Sequence, residues 1–252
     1  MTAVFTKIFS LFVSLVMAIV NLFGGAAAKP EDPYERLETP EYYLGTLVST
    51  DAEDIVARYN AALIKTETDG EEPEGKQMLK LIAPIEGDGA IGTILKVAEP
   101  AIDRALAKNN YDANYIPGKG KVLVNDVTNA ALYETEDGTI FITLIFNDQT
   151  DGPDSHPEVA GPVARGIGTL GSIDNALAEL GAEFTQGRET VELKYTNAYV
   201  NCEIDPETGY IIRGTWHYDV DVSIGEARLI MGIAADLKNI KGKVEYAVVL
   251  GD

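Results

Sequence analysis

The chain has two histidines, His156 and His217, so any imidazole chemistry runs through one of them. His217 alternates with Asp219 and Asp221 in a run of period two. Side chains at i and i+2 of a strand share one face, about 6.5–7 Å apart along the backbone. A histidine beside carboxylates at that spacing could serve as an oriented base in a hydrolase, or hold a metal cation. The same alternation is what a solvated polar face of a half-buried sheet produces, and that plainer reading takes precedence. No G-x-S-x-G elbow, zinc spacing or P-loop accompanies the group.

A second oxygen-rich group is Asn147, Asp148, Gln149, Asp151, Asp154 and Glu158. Asn147, Gln149, Asp151, Gly152 and Glu158 fall at positions 1, 3, 5, 6 and 12 of a calcium loop. The first ligand is Asn, the second Gln, prolines stand at 153 and 157, and a strand precedes the segment. Those departures favour an acidic surface loop, with weak Ca²⁺ binding as the alternative. Gly166 to Gly171 spells G-x-G-x-x-G, but no buried strand precedes it and no βαβ unit surrounds it. It reads as a flexible glycine-rich connector. Cys202, the one cysteine, lies in a strand-like apolar run and reads as a small buried side chain. Tyr195, Tyr199, Tyr210, Trp216 and Tyr218 cluster in the same C-terminal region. They form either plain core or the wall of an apolar ligand site.

The elements that carry these groups follow from periodicity. Thr50-Asp51-Ala52-Glu53 has capping-box spacing, and Ile55, Val56, Tyr59, Ala62 and Leu63 continue at helical spacing, predicting a helix over 51–66. A short strand is expected over 77–83. A helical pattern over 92–108 contains Pro100, which predicts a kink or two short helices, with Asn109-Asn110 as stops. Glu136-Asp137-Gly138 predicts a hairpin between 132–134 and 139–146. The second of these strands is apolar on both faces and is expected to be central. A loop over 147–168 and a short helix over 170–180, stopped by Gly181, come next.

Over 191–204 the apolar side is first odd, then even, which predicts a bulge near Thr196-Asn197. Asp205 to Gly209 is a turn. Tyr210, Ile212, Trp216, Tyr218, Val220, Val222 and Ile224 are expected on one face of the next strand. Two more strands are expected over 227–235 and 243–250.

At the N-terminus, Lys7 precedes an apolar run from Ile8 to Phe23, then Gly24-Gly25 and Ala26-Ala27-Ala28. That order predicts a signal peptide (1–28) cleaved after Ala28, with an uncleaved anchor as the alternative. Residues 29–49 begin rich in proline and acid and read as a linker, leaving 50–252 as one α+β domain. The chain has 252 residues, 46% of them hydrophobic, and 40 Asp plus Glu against 20 Lys plus Arg. The net charge of −20 argues against nucleic acid and against anionic membrane surfaces, so membrane contact is expected only through an uncleaved N-terminal segment.

The run Tyr195 to Tyr210 with the strand ending Asp219-Val220-Asp221-Val222, the stretch Asp51 to Lys65 containing Tyr59-Asn60-Ala61-Ala62, and the hairpin Tyr133 to Phe146 together resemble uncharacterised exported domains of anaerobic Gram-positive bacteria. The resemblance implies export and a helix-plus-sheet fold and transfers no catalytic residue. By shape the outline is similar to lipoprotein-carrier folds.

The expected fold is therefore α+β. It is a curved antiparallel sheet of about six or seven strands, with an N-terminal helix and one or two further short helices packed on it. The expected role is a non-catalytic protein of the cell surface or extracellular space that binds an apolar molecule or an envelope component. A hydrolase or metal-dependent enzyme using His217 with Asp219 or Asp221, and a structural surface module, are the alternatives.

Overall fold

The computed structural model describes Tyr42 and residues 45–251, apart from 71–72, 90–91, 94, 97–98, 101, 104–110, 114, 119, 154–160, 180–181 and 232. The expected signal peptide, the linker up to residue 41, and the helix stops at 109–110 and 181 lie outside the described residues. Of the expected helix over 92–108, the described positions 92–93, 95–96, 99–100 and 102–103 are helical.

Among the described residues the sheet has ten strands. They are β1 (Thr46–Ser49), β2 (Gly75–Glu86), β3 (Tyr111–Ala113), β4 (Val127–Glu134), β5 (Ile140–Phe146), β6 (Gln149–Asp151), β7 (Glu183–Gln186), β8 (Val191–Ile204), β9 (Ile211–Met231) and β10 (Ile233–Leu250). The helices include α1 (Ala52–Asp69), α2 (Pro162–Gly166) and α3 (Ile173–Glu179). The sheet order is β1-β4-β5-β8-β9-β10-β2-β3, with β6 paired to β8 and β7 to β9, and each pair is antiparallel. The sheet is open, with β1 and β3 at its edges.

The expected six or seven strands were too few for a local reason. β1, β3, β6 and β7 are three or four residues long, too short for a period of two to show in sequence. β1 also precedes α1 and lies within the expected linker, so the helix is not the first element of the fold.

The bulge in β8 forms where the phase change placed it. The register with β9 shifts between Thr196 and Tyr199, and Asn197 sits at φ 52°. Val191, Leu193 and Tyr195 before it, and Ala198, Val200, Cys202 and Ile204 after it, are all buried. In β9, Trp216, Tyr218, Val220, Val222 and Ile224 are buried as expected. Ile212 is not: it is 43% exposed, and Ile211 points inward instead. The register skips Ile212 between the pairs Ile204 with Ile211 and Glu203 with Arg213, so a second bulge reverses the phase there.

The last two strands also differ from expectation. β9 runs on to Met231 and pairs from there with β10, which begins at Ile233, so the two strands meet after Met231 and not between 235 and 243. Ala227 and Leu229 keep the buried phase of β9, while Asn239 and Gly242, which resemble turn residues, are carried inside β10.

α1 lays Ile55, Val56, Tyr59, Ala62, Leu63 and Thr66 into the core. Its N-cap is Asp51, which accepts from the Glu53 amide at 3.0 Å, so the cap forms one residue later than the Thr50 capping box would put it. Trp216 Nε1 donates to Tyr59 Oη at 2.9 Å, and the Ile211 amide donates to Thr66 Oγ1 at 2.9 Å. These two bonds tie the helix to β9 through groups that would otherwise be buried without partners.

Among its described residues, the segment after β5 is a set of packed elements and not a loop followed by a flexible connector. It contains β6 and α2, and Ile167, Thr169 and Leu170 are buried. Gly168 and Gly171 take φ 105° and 87°, conformations that side-chain-bearing residues rarely adopt. Arg165 Nε donates to Asp126 Oδ2 at 2.7 Å, and its Nη2 bonds Oδ1, which fastens α2 to the turn before β4.

Gly166→Ala is expected to lower the melting temperature, by about 1–3 kcal/mol in stability, because a Cβ there would stand 2.3 Å from the Phe146 ring. Helix propensity alone predicts the opposite sign, and Phe146→Leu in the same chain should recover part of the loss. Calorimetry of the two variants beside the unsubstituted chain checks this. Burial alone would raise the Asp126 carboxyl, but its bonds to Arg165 and to the Leu123 amide outweigh burial and hold it below the usual carboxylate range. Its stabilisation is therefore present above the unfolded value of about 3.9 and lost as pH falls through the folded value. Asp126→Asn should lower stability at neutral pH and flatten the acid limb of the melting curve.

Candidate functional site

The strand face opposite α1 carries the charged groups. His217 is at the centre of β9 with a side chain 13% exposed. Its pairing partners are Tyr199 on β8 and Ala247 on β10. The Tyr199 ring stacks on the imidazole with centroids 4.7 Å apart. Nδ1 lies 3.1 Å from the Asn197 carbonyl oxygen, Nε2 lies 3.1 Å from Glu245 Oε1, and Asp219 Oδ1 is 3.8 Å from Nε2. Asp219 also accepts from Asn197 Nδ2 at 2.7 Å and lies 3.2 Å from Lys243 Nζ.

This arrangement brings His217 and Asp219 together and leaves Asp221 at the margin, 4.0 Å from Lys243 and with its side chain 48% exposed. Both imidazole nitrogens are engaged by the protein itself. A general base needs one nitrogen turned to the substrate. The cation beside Asp219 is the Lys243 ammonium, and among the described residues no group of three His, Cys, Asp or Glu is placed to hold a metal ion. The cluster is a cross-strand tie between β8, β9 and β10. Sequence reading found His217 and Asp219 but missed Asn197, Lys243 and Glu245 as their partners, because register between strands pairs residues that no spacing along the chain relates. Alternation in β10 was the signal for Lys243 and Glu245, which point away from the buried Val244 and Tyr246.

The five aromatic candidates do not share one surface. Tyr195, Trp216 and Tyr218 are fully buried core. Tyr195 packs edge-on against Tyr218, and Tyr218 stacks on Tyr246 at 4.8 Å. Burial pushes the Tyr195 and Tyr218 hydroxyls and the Cys202 thiol up, so none of them ionises near neutral pH. Tyr199 is on the opposite face. Tyr210 is at the turn before β9, with Lys65 Nζ 5.2 Å from its ring centroid.

Of the calcium candidates, Asp154 and Glu158 lie outside the described residues, as does His156. Asn147 Nδ2 donates to the Asn125 carbonyl, Asp148 pairs with Lys194 at 3.7 Å, and Gln149 Nε2 donates to Asp151 Oδ1 at 2.9 Å while its Oε1 accepts from the Ala164 amide. Gln149 and Asp151 share one face of β6 and are bonded to each other, so the oxygens of Asn147, Asp148, Gln149 and Asp151 are set by a strand and its neighbours and not by a loop.

A cavity of about 500 Å³ opens between α3, β7 and the far end of β9. Leu177, Ala182, Phe184 and Ile230 form its apolar wall, and Asp174, Glu183 and Arg188 its rim. Sequence reading missed it, since its residues come from three separate elements. Ile230, an apolar residue 37% exposed near the end of a strand, is the one local signal. A second cavity of about 450 Å³ at the β4–β5 turn is lined by Thr135, Glu136, Asp137, Thr139, Glu203 and Arg213.

His217→Ala should cost about 1–2 kcal/mol by removing the contacts to Asn197 and Glu245 and leaving Glu245 without its partner. A double-mutant cycle with Glu245→Gln should show coupling of about 0.5–1.5 kcal/mol. Additive losses in denaturant unfolding would deny the tie. The chain matches no family model, no curated protein and no solved structure.

Proposed function

We propose that the chain is an exported, non-catalytic binding protein of the cell surface or extracellular space, and that the cavity between α3, β7 and β9 takes a small molecule or envelope component through its apolar part. The observation that carries this is the cavity's wall of Leu177, Ala182, Phe184 and Ile230. Ligand sites are concave and largely apolar, with a few polar groups that set orientation. The second cavity is lined by Thr, Glu, Asp and Arg residues, with no aliphatic or aromatic side chain among them. Export rests on the order of cation, apolar run and small residues in 1–28. A hydrolase reading of His217 requires breaking one of its two contacts before the ring can take a proton from a substrate, so the binding reading is preferred to it. A purely structural module needs no such cavity.

N-phenyl-1-naphthylamine, an uncharged apolar probe whose emission rises in apolar surroundings, should bind saturably at about one site per chain. Ile230→Glu should abolish that binding with little change in melting temperature, because Ile230 is already partly exposed. Non-saturating emission, or binding unchanged by Ile230→Glu, would remove the cavity from consideration.

A further inference from the structure

We infer that the ligand of this cavity is a cationic amphiphile whose positive head sits at Glu183 and whose apolar body lies against Ile230; the inference rests on the cavity being the binding site. Glu183 on β7 pairs directly with Ile230 on β9. Directly paired residues project on the same sheet face with Cβ atoms about 4.5–5.5 Å apart. One carboxylate therefore stands beside the exposed apolar side chain of the wall, at the distance between head and first methylenes of an amphiphile.

The charges of the rim decide the sign of the head. Arg188 Nε lies 3.1 and 3.0 Å from the two oxygens of Asp174, and Nη2 bonds Oδ2 as well. That bidentate pair cancels its own charge, so the Arg188 guanidinium is not a free cation for an anionic ligand. Arg228 and Asp236, the next charges along β9 and β10, approach to 3.7 Å and also offset each other. Glu183 forms no ion pair or side-chain hydrogen bond among the described residues. Among the described rim residues, Glu183 is the acidic group without an ion pair, on a chain whose net charge is −20. Both the local and the long-range field favour a cation and oppose an anion.

The test is competition of three ligands with the same eight-carbon tail against the naphthylamine probe, each below its micelle concentration. Octyltrimethylammonium should bind about tenfold more tightly than octyl sulfate, with octyl glucoside between them. Glu183→Gln should weaken the ammonium about three- to tenfold and leave the glucoside unchanged. Added salt should weaken the ammonium alone. Sulfate binding as tight as ammonium, or an ammonium affinity indifferent to Glu183→Gln, overturns the cationic assignment while the cavity stands. If none of the three displaces the probe, the cavity reading fails with it.

Discussion

The two faces of the sheet meet their separate demands at Asn197. A strand alternates its side chains between faces, so an apolar set that begins on odd positions must stay there unless a residue is inserted. Val191, Leu193 and Tyr195 are odd; Ala198, Val200, Cys202 and Ile204 are even. Asn197, at φ 52°, lets both sets face the same core. Asparagine tolerates that left-handed conformation better than most residues that carry a side chain. The same residue then serves the other face, where its carbonyl faces His217 Nδ1 and its amide donates to Asp219. The break between β5 and β6 lies at the same level: β5 pairs with β8 over 199–204 and β6 over 193–195.

The core side of this constraint is closed by α1. Its apolar stripe meets a sheet whose largest buried side chain is Trp216. Indole and phenol are bulky apolar groups with one polar tip each, and such tips are costly when buried unpaired. Pairing Trp216 Nε1 with Tyr59 Oη satisfies both and sets how the helix lies on the sheet. The polar side is closed differently. His217 lies against Glu245 and Lys243 against Asp219, which joins β9 to β10 on a face that is only partly exposed. Such a cluster favours a fixed register between β8, β9 and β10, because sliding any strand by one residue would separate every pair in it.

Much of the fold was legible where a pattern is local and long. The amphipathic helix, the Asp137-Gly138 hairpin, the phase change in β8 and the Asp205 to Gly209 turn depend on residues close in sequence. Legibility ended where partners are distant or elements short. β1, β3, β6 and β7 are defined by hydrogen bonding to a longer neighbour and not by their own period. Ile212 looked inward-facing by alternation because a second bulge, set by pairing with β8, cannot be seen in β9 alone. The glycines at 166, 168 and 171 looked like flexibility. Two of them supply left-handed turns and the third gives way to the Phe146 ring, which is the opposite mechanical role.

The candidate sites divide in the same way. By itself the sequence determined that His217 and Asp219 share a strand face, that Cys202 and the aromatic residues of β8 and β9 include core positions, and that the chain is acidic. Each of these follows from residue type and a period of two. Only the tertiary structure decided that both nitrogens of His217 are held by β8 and β10, that Tyr195, Trp216 and Tyr218 are sealed in the core while Tyr199 and Tyr210 are elsewhere, and that a cavity exists where α3, β7 and β9 converge. The reason is that sheet register and helix docking join residues tens of positions apart, and these contacts depend on the packing of whole elements, which the order of residues within any one element does not contain.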